Sequence, residues 1–178
     1  MKTKSLRLIL LLLAVACGVT FASAQEIKGS RTHLKAIGGF SYSTLSGEDG
    51  VFGPVFGARF DTRVSSQPVY VGAGLEYMNR GFEHNSNHSI LVPFLGSYQM
   101  AVGDQIALEP FAGTVLSYGF DWKNWDCGIR LGCNIRAKRW DFSVAYDLGL
   151  RHYDFGIAEG RTQSVLVSVG YNFDLSLN

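Results

Sequence analysis

The chain has 178 residues, with 16 Lys and Arg against 15 Asp and Glu, a formal net charge of +1 and 47% hydrophobic residues. That balance excludes a strongly basic nucleic-acid binder, and the length suits one domain behind a targeting segment. No apolar run of the roughly 18 residues that a membrane-spanning helix needs follows residue 24, but strands cross with only ~9–11 residues each.

Residues 1–24 read as a secretory signal peptide. Lys2, Lys4 and Arg7 form a basic start, residues 8–16 an apolar core, and Ala22-Ser23-Ala24 a small-x-small cleavage site before Gln25. A lipoprotein reading, with Cys17 lipidated after Ala14-Val15-Ala16, is the alternative. Loss of the leader's three cations takes the net charge from +1 to −2 and leaves 25–178 as one domain.

Eight stretches alternate large apolar residues with small or charged ones, at 32–43, 51–64, 69–81, 89–102, 105–119, 125–137, 139–153 and 162–175. Strict alternation is the signature of a strand with one apolar and one polar face. The sixth stretch is the cleanest: Trp125, Cys127, Ile129, Leu131, Cys133, Ile135 and Ala137 share one face, Asp126, Gly128, Arg130, Gly132, Asn134 and Arg136 the other. The two cysteines lie on one face of one strand but ~20 Å apart at ~3.3 Å per residue, too far to bridge. The first and fourth stretches are less regular: Ile37 falls with the polar set, and Leu91, Pro93 and Leu95 share a face with Ser97. Pro93 and Pro110 would each delete a ladder donor and mark bulges.

The expected fold is all-β, an eight-stranded antiparallel up-and-down transmembrane β-barrel. Tight turns are expected at 65–68, 103–104 and 138, and longer connections at 44–50, 82–88, 120–124 and 154–161. Short periplasmic turns and long outer loops are the outer-membrane pattern. Tyr42, Tyr77, Tyr118, Trp122, Trp125 and Tyr153 near the outer ends, and Trp140 and Phe173 near the inner ends, form the expected aromatic girdles.

Arg59, Asp61, Arg63, Glu76, Arg80, Glu109, Arg130, Arg136, Asp141, Asp147 and Arg151 fall on the inward face. Nine Arg against four Lys after residue 24 favour bidentate carboxylate pairing in a confined space. An eight-stranded barrel is just wide enough for side chains to fill. The expectation is an ion-pair network that plugs the lumen; a narrow charged path for ions or a small solute is the alternative. Catalytic, cofactor and metal residues are expected to be none. His84 and His88 could hold a metal but read better as a solvated loop, and His152, Asp154 and Ser164 could be assembled into a hydrolase constellation only on paper. A soluble lipocalin-like inversion, with the apolar set lining a cavity, also fits the periodicity.

The architecture resembles small outer-membrane β-barrels of the OmpA-like and OmpX-like size class. The run Ser-Ile-Leu-Val-Pro-Phe-Leu-Gly-Ser-Tyr over 89–98 and the final strand 165–175 resemble more particularly the outer-membrane β-barrel domain of PorT-like proteins. The resemblance implies the bacterial outer membrane, outer-membrane lipid and the barrel-insertion machinery as partners, a structural, adhesive or interaction role, and a non-enzymatic monomer with an unidentified extracellular or periplasmic partner. Barrels of this kind often end on an aromatic, whereas this chain runs past Phe173 to Asn178.

Overall fold

A computed structural model describes residues 31–45, 48–82, 85–154 and 159–175. The leader, Cys17, His84 and the terminal overhang lie outside the described residues. The strands are β1 (Thr32–Leu45), β2 (Val51–Arg63), β3 (Val69–Phe82), β4 (Asn85–Tyr98), β5 (Met100–Ala101), β6 (Ile106–Gly119), β7 (Asn124–Ala137), β8 (Trp140–Asp154) and β9 (Glu159–Asp174). All pairings are antiparallel, in the order β4-β3-β2-β1-β9-β8-β7-β6-β5, and β4 also pairs with β6. The sheet thereby closes on itself. The short β5 continues the line of β4 past a break at Gln99 and pairs with β6, so the barrel wall has eight strands.

Alternation decides which side of each strand is buried. On β7, Asp126, Arg130 and Asn134 are buried, while Trp125, Cys127, Ile129, Leu131 and Ile135 are exposed. The same holds around the wall: Phe52, Phe56 and Phe60, Leu75, Ile90 and Phe94, Leu116, Phe142 and Val144, and Val165, Val167 and Val169 all face outward. Large apolar side chains on the outside and charges within invert a water-soluble barrel, which rules out the lipocalin-like arrangement. Cys127, exposed, and Cys133, half-buried, are thiols that form no disulfide among the described residues.

Inward glycines let the small cylinder close over bulky neighbours. A Cβ on Gly132 would stand 2.4 Å from the ring of Phe111, and one on Gly113 would stand 2.0 Å from the carbonyl of Phe94. Neither proline bulges its strand. The β3–β4 ladder omits two rungs, Gly74 opposite Pro93 and Leu75 opposite Val92, and resumes in the same register, and Pro110 sits opposite Cys133 without a shift. Flanking rungs on both sides hold the register across each lost donor.

The connections differ from expectation. β3 and β4 run to Phe82 and from Asn85, so 85–88 belong to a strand and only 83–84 connect them. β9 begins at Glu159, leaving 155–158 for the connection after β8. Residues 64–68 at the other end form as long a connection as any. Polar residues such as Asn85, Ser86 and Asn87 read as loop by composition, but they continue the hairpin because each finds a rung on β3. We call the end that carries the chain termini proximal and the opposite end distal.

Candidate functional site: the barrel lumen

The lumen is stacked in layers, each built from alternate residues of several strands. Beneath the distal mouth lies a four-charge cluster. The Arg130 guanidinium grips Asp147 on the neighbouring strand in a two-pronged contact, Nε to Oδ1 at 2.6 Å and Nη2 to Oδ2 at 2.9 Å. Its Nη1 reaches across the lumen to Glu76 at 2.7 Å. Arg80 donates to Asp147 at 3.2 Å and to the Ser117 hydroxyl at 3.0 Å. Two cations meet two anions, all of them buried.

Apolar side chains pack among the charges in one cluster, Val55, Met78, Leu91, Leu95, Phe111, Val115, Ala145 and Leu166, with Met78 between Glu76 and Arg80 on β3. The fourth stretch, which broke the simple alternation, supplies Leu91 and Leu95 to it. A cavity of about 20 Å³, touching Glu76 and Arg130 on one side and Arg59 and Asp141 on the other, lies between the two charged clusters. That is space for about one water molecule.

The proximal cluster is larger. Arg136 bonds Asp141 at 2.9 Å and pairs with Glu109 at 2.8 Å, and Lys35 pairs with the same Asp141. Arg59 bonds Asp61 at 3.0 Å, lies 4.0 Å from Glu109 and rests over the Phe111 ring at 5.6 Å. His33 Nε2 is 3.5 Å from Asp61 and 3.3 Å from Arg136 Nη2, and Asn134 donates to Glu109 at 3.2 Å. Lys35, Arg59 and Arg136 thus balance Asp61, Glu109 and Asp141. A buried charge is tolerable only when paired, and mutual neutralisation within each cluster supplies the pairing, although Lys35 Nζ, Arg80 Nε and Glu109 Oε2 make no hydrogen bond among the described residues.

Arg63 and Arg151, expected in this network, stand outside it. Arg63 folds over the proximal turn, its Nε 3.0 Å from the carbonyls of Ser65 and Gln67. Arg151 lies past the point where β8 loses register, between Leu148 and His152. It is exposed there and donates to the Trp125 carbonyl at 2.9 Å. Three lumen residues were not expected. Lys35 and His33 share parity with Ser41 and Ser43 on β1, and extending the polar face of that irregular stretch would have flagged them. Asp126 sits on the polar face of the cleanest stretch and is buried beside Thr162.

The girdle divides as well. Tyr42, Trp125, Trp140 and Phe173 are exposed on the outer face, with Tyr77 and Tyr118 half-buried among them. Phe56, Tyr77 and His88 stack in a row. Trp122 and Tyr153 turn inward instead. With Leu45 and Phe82 they close the distal mouth, the Trp122 ring centroid 6.0 Å from Phe82 and 5.6 Å from Tyr153. Each of the four distal hairpins gives one residue to this plug. Their inward turn follows from position: at the strand ends the wall no longer separates two solvents, and the only apolar cover is over the lumen.

No hydrolytic constellation forms from His152, Asp154 and Ser164. His152 is exposed opposite Arg161, while Ser164 is buried against the Ser43 hydroxyl at 2.8 Å. No group of His, Cys, Asp and Glu suited to a metal occurs among the described residues.

Comparison with solved structures follows the same lines. The fold resembles that of Neisserial surface protein A. The superposition has a TM-score of 0.63 at 10% identity and covers 82% of this chain and 98% of that one. Outer membrane protein OprG from Pseudomonas aeruginosa matches with a TM-score of 0.49 at 12% identity over 84% and 100%, and Ail of Yersinia pestis with 0.46 at 10% over 82% and 99%. No family model and no curated protein sequence matches the chain.

Proposed function

We propose that the chain is an integral outer-membrane β-barrel with a closed, ion-paired lumen, acting without enzymatic chemistry through the surface of its distal hairpins. The observation that carries this reading is the inverted barrel: an exterior of exposed Phe, Leu, Ile and Val around an interior of neutralised charge. Only hydrocarbon covers such an exterior favourably, and closure of the barrel pairs each wall strand on both sides across the middle of the wall. With an even number of wall strands both termini share the proximal side, in keeping with an exported chain whose leader, 1–24, is cleaved. The distal hairpins then face outward.

Outer-membrane lipid is the partner of the outer face. Phe173, exposed on the last long strand, would serve as the aromatic that insertion machinery reads. The affinity with PorT-like barrels, carried by the run over 89–98, belongs to the same proposal, as does a monomeric state. A structural, adhesive or interaction role fits a barrel whose lumen is sealed by the plug and filled by two neutral clusters.

The test is fractionation of the exported protein, gel mobility with and without boiling, and current measurement in planar bilayers. Outer-membrane recovery, a heat-dependent shift and no unitary conductance are expected. Discrete current steps would favour the narrow pore or solute carrier instead, and a soluble periplasmic product without a shift would overturn the reading.

A further inference from the structure

Two interruptions in the wall divide the distal half of the barrel. The β7–β8 ladder runs from Ala137↔Trp140 to Gly128↔Gly149 and stops, although β7 continues to Asn124 beside β6 and β8 to Asp154 beside β9. The β2–β3 ladder runs from Arg63↔Tyr70 to Val55↔Met78 and stops. Beyond it the only paired residues are the isolated Gly50↔Phe82 bridge, one residue out of register, although Gly53 still lies close against Asn79. Neighbouring pairs elsewhere stay laddered towards their distal ends, β1–β9 to Leu45↔Thr162, β3–β4 to Phe82↔Asn85 and β6–β7 to Gly119↔Asn124.

In the strand order the interruptions lie opposite each other, with β2-β1-β9-β8 on one side and β3-β4-β6-β7 on the other. Each side holds two distal hairpins. The unbroken ladders, Val55–Arg63 and Gly128–Ala137, match the ~9–11 residues that a tilted strand needs to cross the hydrocarbon. The seams therefore open where water can satisfy an unpaired backbone group.

Side chains hold the seams. Asp126 Oδ1 accepts the Arg151 N–H at 3.1 Å, and Oδ2 accepts the Thr162 hydroxyl at 3.0 Å. Gly149 leaves room for this carboxylate, since a Cβ there would stand 2.5 Å from Asp126 Oδ2. At the opposite seam the Ser41 hydroxyl lies 3.4 Å from the carbonyls of Gly53 on β2 and Asn79 on β3. The plug also spans the divide, with Leu45 and Tyr153 on one side and Phe82 and Trp122 on the other.

We propose that the distal half is a two-jawed mouth: the two four-strand sides part along the β2/β3 and β7/β8 seams, Asp126 latches them, and the Leu45–Phe82–Trp122–Tyr153 contact is the closure. The proposal rests on the membrane-barrel reading. Parting breaks no rung of a continuous ladder; besides the latch it releases the isolated Gly50↔Phe82 bridge and the Arg151–Trp125 carbonyl bond. The Arg130–Asp147 fork, two rungs below the last β7–β8 rung, stays as the pivot.

Thiol labelling tests it. The three native cysteines are replaced by serine, and Ser43→Cys, buried below the plug, is exposed to a membrane-impermeant maleimide. Only protein with a heat-dependent mobility shift is scored, so failure of the barrel reading shows as absence of that band, before any labelling. Ser43→Cys is expected to react slowly in the latched protein and about tenfold faster once Asp126→Ala removes the carboxylate's hydrogen bonds. Ser143→Cys, within the laddered zone, is expected to stay slow in both. If Asp126→Ala does not fold, Ser41→Ala at the opposite seam gives the same readout. Equal Ser43→Cys rates with and without the latch, or a parallel rise at Ser143→Cys, would overturn the proposal.

Discussion

Arg130 shows most clearly what a single lumen residue does. It is held on both sides by Asp147 and Glu76, so its removal strands the buried Glu76 carboxylate and leaves Asp147 with Arg80 alone. Arg130→Ala is expected to destabilise the folded barrel by about 3–5 kcal/mol, as breaking a buried pair does, measured by urea unfolding from lipid vesicles. Arg63→Ala, at the proximal turn, is expected to stay within about 0.5 kcal/mol of the parent in the same assay. The glycine opposite an aromatic gives a second residue-scale test. Gly132→Ala puts a methyl group into the Phe111 ring and is expected to cost about 1–3 kcal/mol. Phe111→Ala in the same chain should recover part of that loss, because the two sites share one volume. Independent, additive effects would show that the ring is displaced freely.

At the scale of the strand, two faces carry two separate functions. The outer face of β7 is apolar from Trp125 to Ile135, and Leu131 lies in the middle of its ladders to Ala112 and Tyr146. Leu131→Arg is expected to cost about 2–4 kcal/mol in a bilayer, and the same change at Phe173, near the proximal rim, about 0–1 kcal/mol. Equal costs at both depths would place the bilayer elsewhere on the wall. The irregular elements sit where the strands leave that zone. β8 slips register between Leu148 and His152, and this slip turns Arg151 out of the lumen although its parity points in. Alternation holds while a ladder continues; beyond the last rung the backbone is free to rotate and parity stops predicting direction.

Taken whole, the molecule is closed three times over, by the plug, the distal cluster and the proximal cluster, with apolar side chains packed among the charges. Removing one closure should not make a channel. The double variant Trp122→Ala with Tyr153→Ala is expected to remain without unitary current in planar bilayers, because both charged clusters stay filled. Current steps from this variant alone would show that the plug is the sole barrier. The pairs in these clusters are buried, so stability should change little between low and moderate salt, unlike that of a protein held by exposed ion pairs.

How much of this was legible from the chain varies with distance from the bilayer zone. The period-2 pattern determined the strands, their two faces and the all-β barrel, because side chains on a strand must alternate whatever the tertiary fold. It also placed nine of the eleven expected charges on the buried face, from Arg59 to Asp147. Parity, however, assigns a side and not a height or a neighbour. Only closure of the sheet set Arg130 against both Asp147 and Glu76, brought Lys35 to Asp141 and stacked the charges into two neutral layers, since those partners come from strands far apart in sequence. Closure likewise decided which face was inside. The strand ends were the least legible part: Trp122 and Tyr153 cap the lumen, Arg63 and Arg151 leave it, and 85–88 extend a hairpin. There no bilayer or ladder imposes direction, and the nearest available cover does.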